Sequence, residues 1–271
     1  EMEWLNRMAG GTLPVHQAED YALPSSSFSS SSSPAHTSPS SPPKNLYRFF
    51  ELFDLPNIPT APAIMAAVER GEARITPPFK PYLEEKLWFA LFWMHPLREF
   101  WRRELSERHF LALQKHIPYT WIIDPAPLPQ HAVIPGLDVV NWSEVGGFSQ
   151  KQRDLILKIS GFSELGWGSR SVVLGSDSSH HEWRDAIENA VRSFEHHPYI
   201  LQRFHKGRLY EQPHFDPTTA QVVTMRGRVR LCPYYFLIGE KAELRGALAT
   251  ICPADKKLLH GMKDAVLAPG A

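Results

Sequence analysis

Residues 155–170 read Leu-Ile-Leu-Lys-Ile-Ser-Gly-Phe-Ser-Glu-Leu-Gly-Trp-Gly-Ser-Arg, and this stretch decides the predicted fold. Its first five residues form a compact apolar strand with one lysine, Lys158, and a charged side chain is costly to bury without an anionic partner. Three glycines follow, at positions 161, 166 and 168, and glycine lets backbone N–H groups approach anionic oxygens closely. The pattern predicts a polyphosphate site, although an edge-strand lysine beside a flexible hairpin remains the alternative.

Further strands and one helix are expected around this segment. A short β-prone stretch at 119–123 precedes it, and a second strand at 171–174 follows it. An amphipathic helix is predicted over 178–194, followed by a strand at 199–204. Strand, glycine loop, strand, helix and then antiparallel strands indicate an α+β fold. The later strands are expected at 220–225, 229–238 and 247–251.

Helical patterns dominate residues 45–145, which form the mostly helical N-terminal half of the predicted fold. Apolar residues recur at helical spacing over 46–53 and again over 64–68. An amphipathic run over 82–101 contains a proline, where a helix should end or kink, and a further helix is expected over 104–116.

The chain divides into four predicted parts. Residues 25–41 contain eleven serines, so a disordered Ser/Pro-rich linker is expected over 22–44. The piece before it, residues 1–21, is too small to fold alone and is interpreted as a remnant of a larger unit. A helix-rich subdomain over 45–145 and a second subdomain over 146–271 complete the chain.

Composition excludes several classes of function. The 29 basic and 29 acidic residues balance, which argues against a nucleic-acid or anionic-membrane binder. No apolar run approaches the roughly 20 residues that span a bilayer, so no membrane partner is expected. Two cysteines cannot form a disulfide framework, and a reducing, cytoplasmic location is expected. Composition says nothing about the oligomeric state.

The order of elements resembles a known family. A lysine-bearing strand, a glycine hairpin, a strand, a helix and the sequence Pro-Tyr-Ile-Leu-Gln at 198–202 look like the nucleotide half of the ATP-grasp fold. The whole order resembles circularly permuted ATP-grasp proteins, which are related to carboxylate–amine ligases, and the resemblance covers about residues 70–271. Three other stretches are similar to that group: Leu83-Glu-Glu-Lys86, Ile117-Pro-Tyr-Thr-Trp121 and the closing segment from Cys252 to Val266.

This resemblance implies mixed or antiparallel sheets with flanking helices, and an ATP-dependent ligase. Such an enzyme activates a carboxylate as an acyl phosphate, which an amine then attacks, with ATP and Mg²⁺ as cofactors and a small molecule or peptide as substrate. Two alternatives stay open: a non-catalytic ATP-grasp-like binding or scaffold protein, and an ATP-dependent small-molecule kinase.

The resemblance also assigns roles to individual residues. Lys158 would contact the ATP phosphates, while Gln202 and Phe204 would lie near the adenine. Arg228 and Arg230 would act in catalysis by holding phosphate or a substrate carboxylate. The loop expected to fold over the phosphates contributes Gly161, Ser163, Gly166, Gly168, Ser169 and Arg170.

Substrate and metal contacts are less sharply indicated. Lys86 opens an apolar helix, and His214 and Asp216 share one face of an extended chain, so all three are candidates for substrate contact. The acidic and asparagine metal ligands usual in ATP-grasp enzymes lack a convincing counterpart. Either Glu243 or Asp264 substitutes for them, or metal binding is weakened and the chain is a nucleotide-binding or inactive relative.

Overall fold

The computed structural model describes residues 2–8, 10–21, 42–160, 163–166, 168–258 and 264–270. Its secondary structure is α+β, with largely antiparallel sheets and several helices, as the sequence predicts. The described residues form two compact units. One holds the residues up to Glu85 together with 163–164, and the other holds 86–160 and the residues from Leu165 onward.

The first unit combines helices with a small parallel sheet. Helix α1 covers Met2–Met8, and strand β1 (Lys44–Tyr47) pairs in parallel with β2 (Ala73–Thr76). Helix α2 (Ala61–Glu69) connects the two strands and confirms the helical pattern over 64–68. Short 3₁₀ helices lie at Ala18–Asp20, Leu52–Asn57 and Pro81–Glu84.

The helix predicted over 46–53 is wrong. Its first residues belong to β1, where each pairs with a residue of β2, and its last residues enter the 3₁₀ helix that contains Pro56. Backbone pairing with a distant strand outweighs a short stretch of helical spacing, because strand preference depends on the neighbouring strand. The predicted helical half therefore also contains strands.

The second unit begins with helices α3 (Leu87–Trp93) and α4 (Arg98–His116). A 3₁₀ turn that contains Pro96 separates them, at the break that the proline predicts. Helix α4 starts six residues earlier than expected, and Ser106 leaves helical geometry inside it, with φ 59° and ψ 153°.

A four-stranded antiparallel sheet follows, with the order β3-β6-β4-β5. Its strands are β3 (Thr120–Ile122), β4 (Leu155–Ile159), β5 (Val173–Leu174) and β6 (Tyr199–Arg203). Since β3 precedes residue 145 and β4–β6 follow it, this sheet crosses the predicted boundary between subdomains.

Helices cover one face of this sheet. Helix α5 covers Trp142–Gly146, and α6 (His180–Arg192) begins with a capping box between Ser179 and Glu182. The indole of Trp183 donates a 2.8 Å hydrogen bond to the Val145 carbonyl, which ties α6 to α5. The buried core joins α6 to alternate residues of the strands, including Trp121, Leu155, Leu157, Ile159, Trp183, Ile187, Ala190, Tyr199 and Leu201.

A second antiparallel sheet has the order β10-β9-β8-β7. Its strands are β7 (Leu209–Asp216), β8 (Gln221–Ile238), β9 (Lys241–Pro253) and β10 (Val266–Pro269). The strands predicted at 220–225 and 229–238 form one continuous strand, β8. Strand β7 was not predicted from the sequence, and it contains Pro213. No helix within the described ranges is long and apolar enough to cross a membrane.

Gly175, between β5 and α6, lies where a side chain has no room. A Cβ at Gly175 would lie 2.6 Å from the Arg153 carbonyl oxygen and 3.1 Å from the Trp183 ring. We therefore expect Gly175→Ala to lower the free energy of unfolding by about 1–3 kcal/mol, measured by urea denaturation.

Gly246→Ala is the matched control, because nothing lies within 4 Å of the position that a Cβ would take there, and the φ of Gly246 is not positive. It should change the stability by less than about 0.5 kcal/mol. Equal losses in the two variants would contradict close packing at Gly175.

Candidate functional site

The side chain of Lys158 lies on the sheet face opposite α6. Its neighbours Leu157 and Ile159 point into the core, so the alternation of the strand turns Lys158 the other way. The ammonium Nζ donates a 2.9 Å hydrogen bond to Oε1 of Gln202. Gln202 Nε2 in turn donates to Thr120 Oγ1 at 2.9 Å. This relay fixes the amide oxygen toward the ammonium.

The charge of Lys158 is not balanced by an acid. Burial lowers the pKa of the Lys158 ammonium, and the nearby charge of Lys86 lowers it further. Lys86 Nζ itself donates to the Gly166 carbonyl at 3.4 Å. Among the described residues, no carboxylate forms an ion pair with Lys158 or raises its pKa. Within the described part of the chain, the hydrogen bond of this mostly buried ammonium is therefore to a neutral group.

A cavity of about 250 Å³ lies beside Lys158. Arg228 lines it from strand β8, and Lys206 and Lys257 line it from loops, as does the imidazole of His205. Lys257 forms an ion pair with Asp177. None of the described residues that line the cavity is acidic. The lining is therefore strongly cationic and suits an anion that carries several charges.

Arg228 is held much as Lys158 is. Its side chain is only 5% exposed, and Nε donates to the Gly207 carbonyl at 3.1 Å. Nη1 donates to the carbonyls of Ala254 and Lys256. All of these acceptors are backbone carbonyls, so they orient the guanidinium without compensating its positive charge. Arg228 and Lys158 thus bring two mostly buried cations to one cavity from two different sheets.

The glycine loop is only partly described. Ser169 lines the cavity with a left-handed φ of 63°, and Phe204 lines it from the end of β6. Gly168 also has a positive φ, 62°, while Gly166 meets Lys86. Arg170 is exposed and does not line the cavity, Ser163 groups with the first unit, and Gly161 lies outside the described residues.

Three predicted residues lie far from the cavity, two of them on β7. On β7 and β8, Leu209 pairs with Arg228, whereas Asp216 pairs with Gln221 at the far end. At about 3.3 Å per residue, Asp216 lies roughly 23 Å along the strand, and His214 roughly 17 Å. Hydrogen bonds from Thr218 and Thr219 lower the pKa of the Asp216 carboxyl, in keeping with a turn-closing residue.

Glu243 is the third predicted residue that lies far from the cavity. It pairs with Phe236, which is eight residues beyond Arg228 on β8, so Glu243 lies roughly 26 Å from Arg228 along the strands. It forms a 2.6 Å ion pair with Arg245. Asp264 is exposed two residues before Val266, which pairs with Ile251 at the same end of the sheet as Arg228. Arg230 shares the strand face of Arg228 but is exposed and outside the cavity lining.

The described residues do not form a protein magnesium site at the cavity. Mg²⁺ takes oxygen ligands, usually including one or two carboxylates. Within the described part of the chain, no three or more His, Cys, Asp or Glu side chains could hold a metal together. The two candidate ligands, Glu243 and Asp264, are separated by the length of the long hairpin.

His205, Lys206 and Lys257 line the cavity but were not singled out from the sequence. The sequence offered a way to find the two lysines. Lys206 follows the predicted strand of Gln202, and Lys257 lies in the closing segment that is similar to the ATP-grasp group. Nothing in the local sequence indicates that these positions meet at one cavity.

A second cavity has a volume of about 1,240 Å³. Its lining is mainly apolar and aromatic, including Trp93, Tyr119 and Trp142. Thr120 also lines it, so the chain Thr120–Gln202–Lys158 connects the larger cavity with the cationic one.

Compared with protein-family models, with curated proteins and with solved structures, the chain has no match.

The lowered pKa of Lys158 makes stability depend on pH. Because the folded state holds this proton less tightly, the unfolded chain binds more protons between the lowered pKa and the ordinary value of 10.5. The free energy of unfolding should therefore rise with pH over that window. Lys158→Met should stabilise the protein most at neutral pH, with the gain shrinking as pH approaches 10.5, measured by thermal unfolding.

Lys151→Met removes an exposed lysine and is the control, and it should change the stability by less than about 0.5 kcal/mol. A Lys158→Met protein that is less stable than the parent at neutral pH would contradict the unfavourable burial of the ammonium.

Proposed function

We propose that the protein is an ATP-dependent ligase of the ATP-grasp type, with the ATP phosphates in the cationic cavity. The observation that supports this is the pair of mostly buried cations, Lys158 and Arg228, held by neutral acceptors around a cavity without an acidic residue in its described lining. A polyphosphate would supply Lys158 and Arg228 with the negative charge that their neutral hydrogen-bond acceptors lack.

The size of the cavity supports a bound polyphosphate group. Whole-ligand pockets usually span about 300–1,000 Å³. The 250 Å³ beside Lys158 is smaller, and it suits the phosphates more than a complete nucleotide. Phe204 provides an aromatic surface at the rim, where a base can stack.

In the proposed reaction, a carboxylate oxygen of the substrate attacks the γ-phosphorus of ATP, and the bond from that phosphorus to the ADP oxygen breaks. An amine then attacks the carbonyl carbon of the acyl phosphate, loses a proton, and displaces inorganic phosphate to leave an amide. Lys158 and Arg228 would stabilise the charge on the phosphate oxygens, since donors that are already fixed in place need no reorganisation as the charge develops.

The second cavity offers room for an acceptor substrate. A ligase must hold an amine-bearing acceptor as well as ATP and a carboxylate, and the apolar cavity of about 1,240 Å³ is large enough for such an acceptor.

A non-catalytic nucleotide-binding protein is the second candidate. It is favoured by the separation of Glu243 from the cavity and by the lack of a metal-holding group within the described residues. The two candidates share ATP binding and differ in turnover.

We expect the protein to bind Mg-ATP, and Lys158→Met to weaken binding at least about tenfold, measured by isothermal titration calorimetry. The loss of one hydrogen bond between charged groups costs about 1.5–3 kcal/mol. Lys151→Met should bind as the parent does, since this exposed lysine does not line the cavity. Equal affinities in the parent and Lys158→Met would refute the phosphate site.

Turnover separates the two candidates. Incubation with Mg-ATP, a mixture of the common amino acids and hydroxylamine, followed by phosphorus NMR, should show ADP and phosphate if an acyl phosphate forms. Tight Mg-ATP binding without any ADP would assign the chain to the non-catalytic class.

A further inference from the structure

The outer part of the β8–β9 hairpin is exposed on both faces. Beyond Arg230, every β8 residue except Cys232 is exposed, and Cys232 is only half-buried. Monomeric proteins rarely leave a large apolar patch in water, so a continuous one indicates an interaction surface. The two faces of this hairpin differ in chemistry, and only one of them is such a patch.

One face carries apolar side chains alone. Residues that lie opposite each other in an antiparallel pair point to the same side, and residues two apart on a strand also share a side. On β8 this face presents Leu231, Pro233, Tyr235 and Leu237. Their partners across the hairpin, in the same order, are Ala249, Ala247, Leu244 and Ala242. We call this set of eight residues the apolar hairpin face.

The other face carries both apolar and charged side chains, and we call it the mixed face. A β-bulge lies beside its charged residues. The register shifts between Tyr234 and Tyr235, which leaves Arg245 as an extra residue on β9. The Arg245 guanidinium pairs at 2.6 Å with Glu243, whose cross-strand partner is Phe236 on the mixed face. The bulge therefore does not place a charge on the apolar hairpin face.

The exposed area is close to what a specific interface needs. The four large residues, Leu231, Tyr235, Leu237 and Leu244, are 63%, 64%, 74% and 57% exposed. Together with the neighbouring Pro233 and Ala242 they offer roughly 600 Å², so two copies would bury at most roughly 1,200 Å², the low end of the range for specific interfaces.

The chemistry of the face suits a second copy of the same chain. A two-fold interface brings each residue type near itself, and this face has no charged side chain to repel its copy. Three of the four large side chains lie on β8, the fourth lies next to the bulge, and small alanines predominate on β9. Ala242 is exposed, whereas Ala247 is half-buried and Ala249 is buried. The large residues of one copy can therefore pack over Ala242 and beside Leu244 of the other, as in sheets packed face to face.

We propose that the protein forms a homodimer in which two apolar hairpin faces pack against each other. This interface lies on β8 and β9 beyond Arg230, and it is independent of the proposed ATP site. Sedimentation velocity of the full chain should show a dimer at micromolar concentration.

Leu237→Lys places a charge on the apolar hairpin face and should convert the dimer to a monomer. Ile238→Lys is the matched control, because the next residue along the strand points to the mixed face, and this variant should remain dimeric. Circular dichroism of both variants checks that they fold, and Tyr235→Glu provides a second disruption of the same face.

A parent protein that is monomeric throughout the micromolar range would overturn the proposal. So would a Leu237→Lys protein that stays dimeric while folded. Sedimentation of a monomeric parent with vesicles of phosphatidylcholine and phosphatidylglycerol would instead assign the face to a lipid surface and refute the dimer.

Discussion

The proposed site depends on one mostly buried ammonium group, which lies in an otherwise apolar strand. Leu157 and Ile159 anchor β4 in the core, so Lys158 must emerge on the opposite face of the sheet. There it meets the amide of Gln202 and the charge of Lys86, and its pKa is lowered. The proposed anionic ligand would restore a favourable charge balance around this unfavourably buried group.

The cavity depends on two sheets that contribute one buried cation each. Strand β4 supplies Lys158 and β8 supplies Arg228, seventy residues apart in the chain. Strands β8 and β9 approach each other closely just before Arg228. A Cβ on Gly227 would collide there with the Cys252 carbonyl oxygen. Beyond Arg230 the same two strands continue as the exposed hairpin, so one pair of strands forms both the wall of the site and the proposed dimer surface.

Much of the second unit follows from local sequence patterns. The five apolar-rich residues of β4 and the helical period of α6 are local signals, and the structure confirms those elements. The helix predicted over 46–53 failed because pairing between β1 and β2 is a long-range effect. The predictions that His214 and Glu243 lie near the site failed because strand length and register place these residues roughly 17–26 Å from Arg228 along the strands. The local sequence around them does not reveal that distance.

The pKa of Lys158 tests the phosphate site most directly, measured by NMR on protein with labelled lysine side chains, with and without saturating Mg-ATP. Burial and Lys86 lower this pKa in the free protein, and bound phosphates would favour the charged ammonium. We therefore predict that the pKa rises when nucleotide is added. A pKa that stays the same at saturating nucleotide would show that the cavity does not bind phosphate beside Lys158.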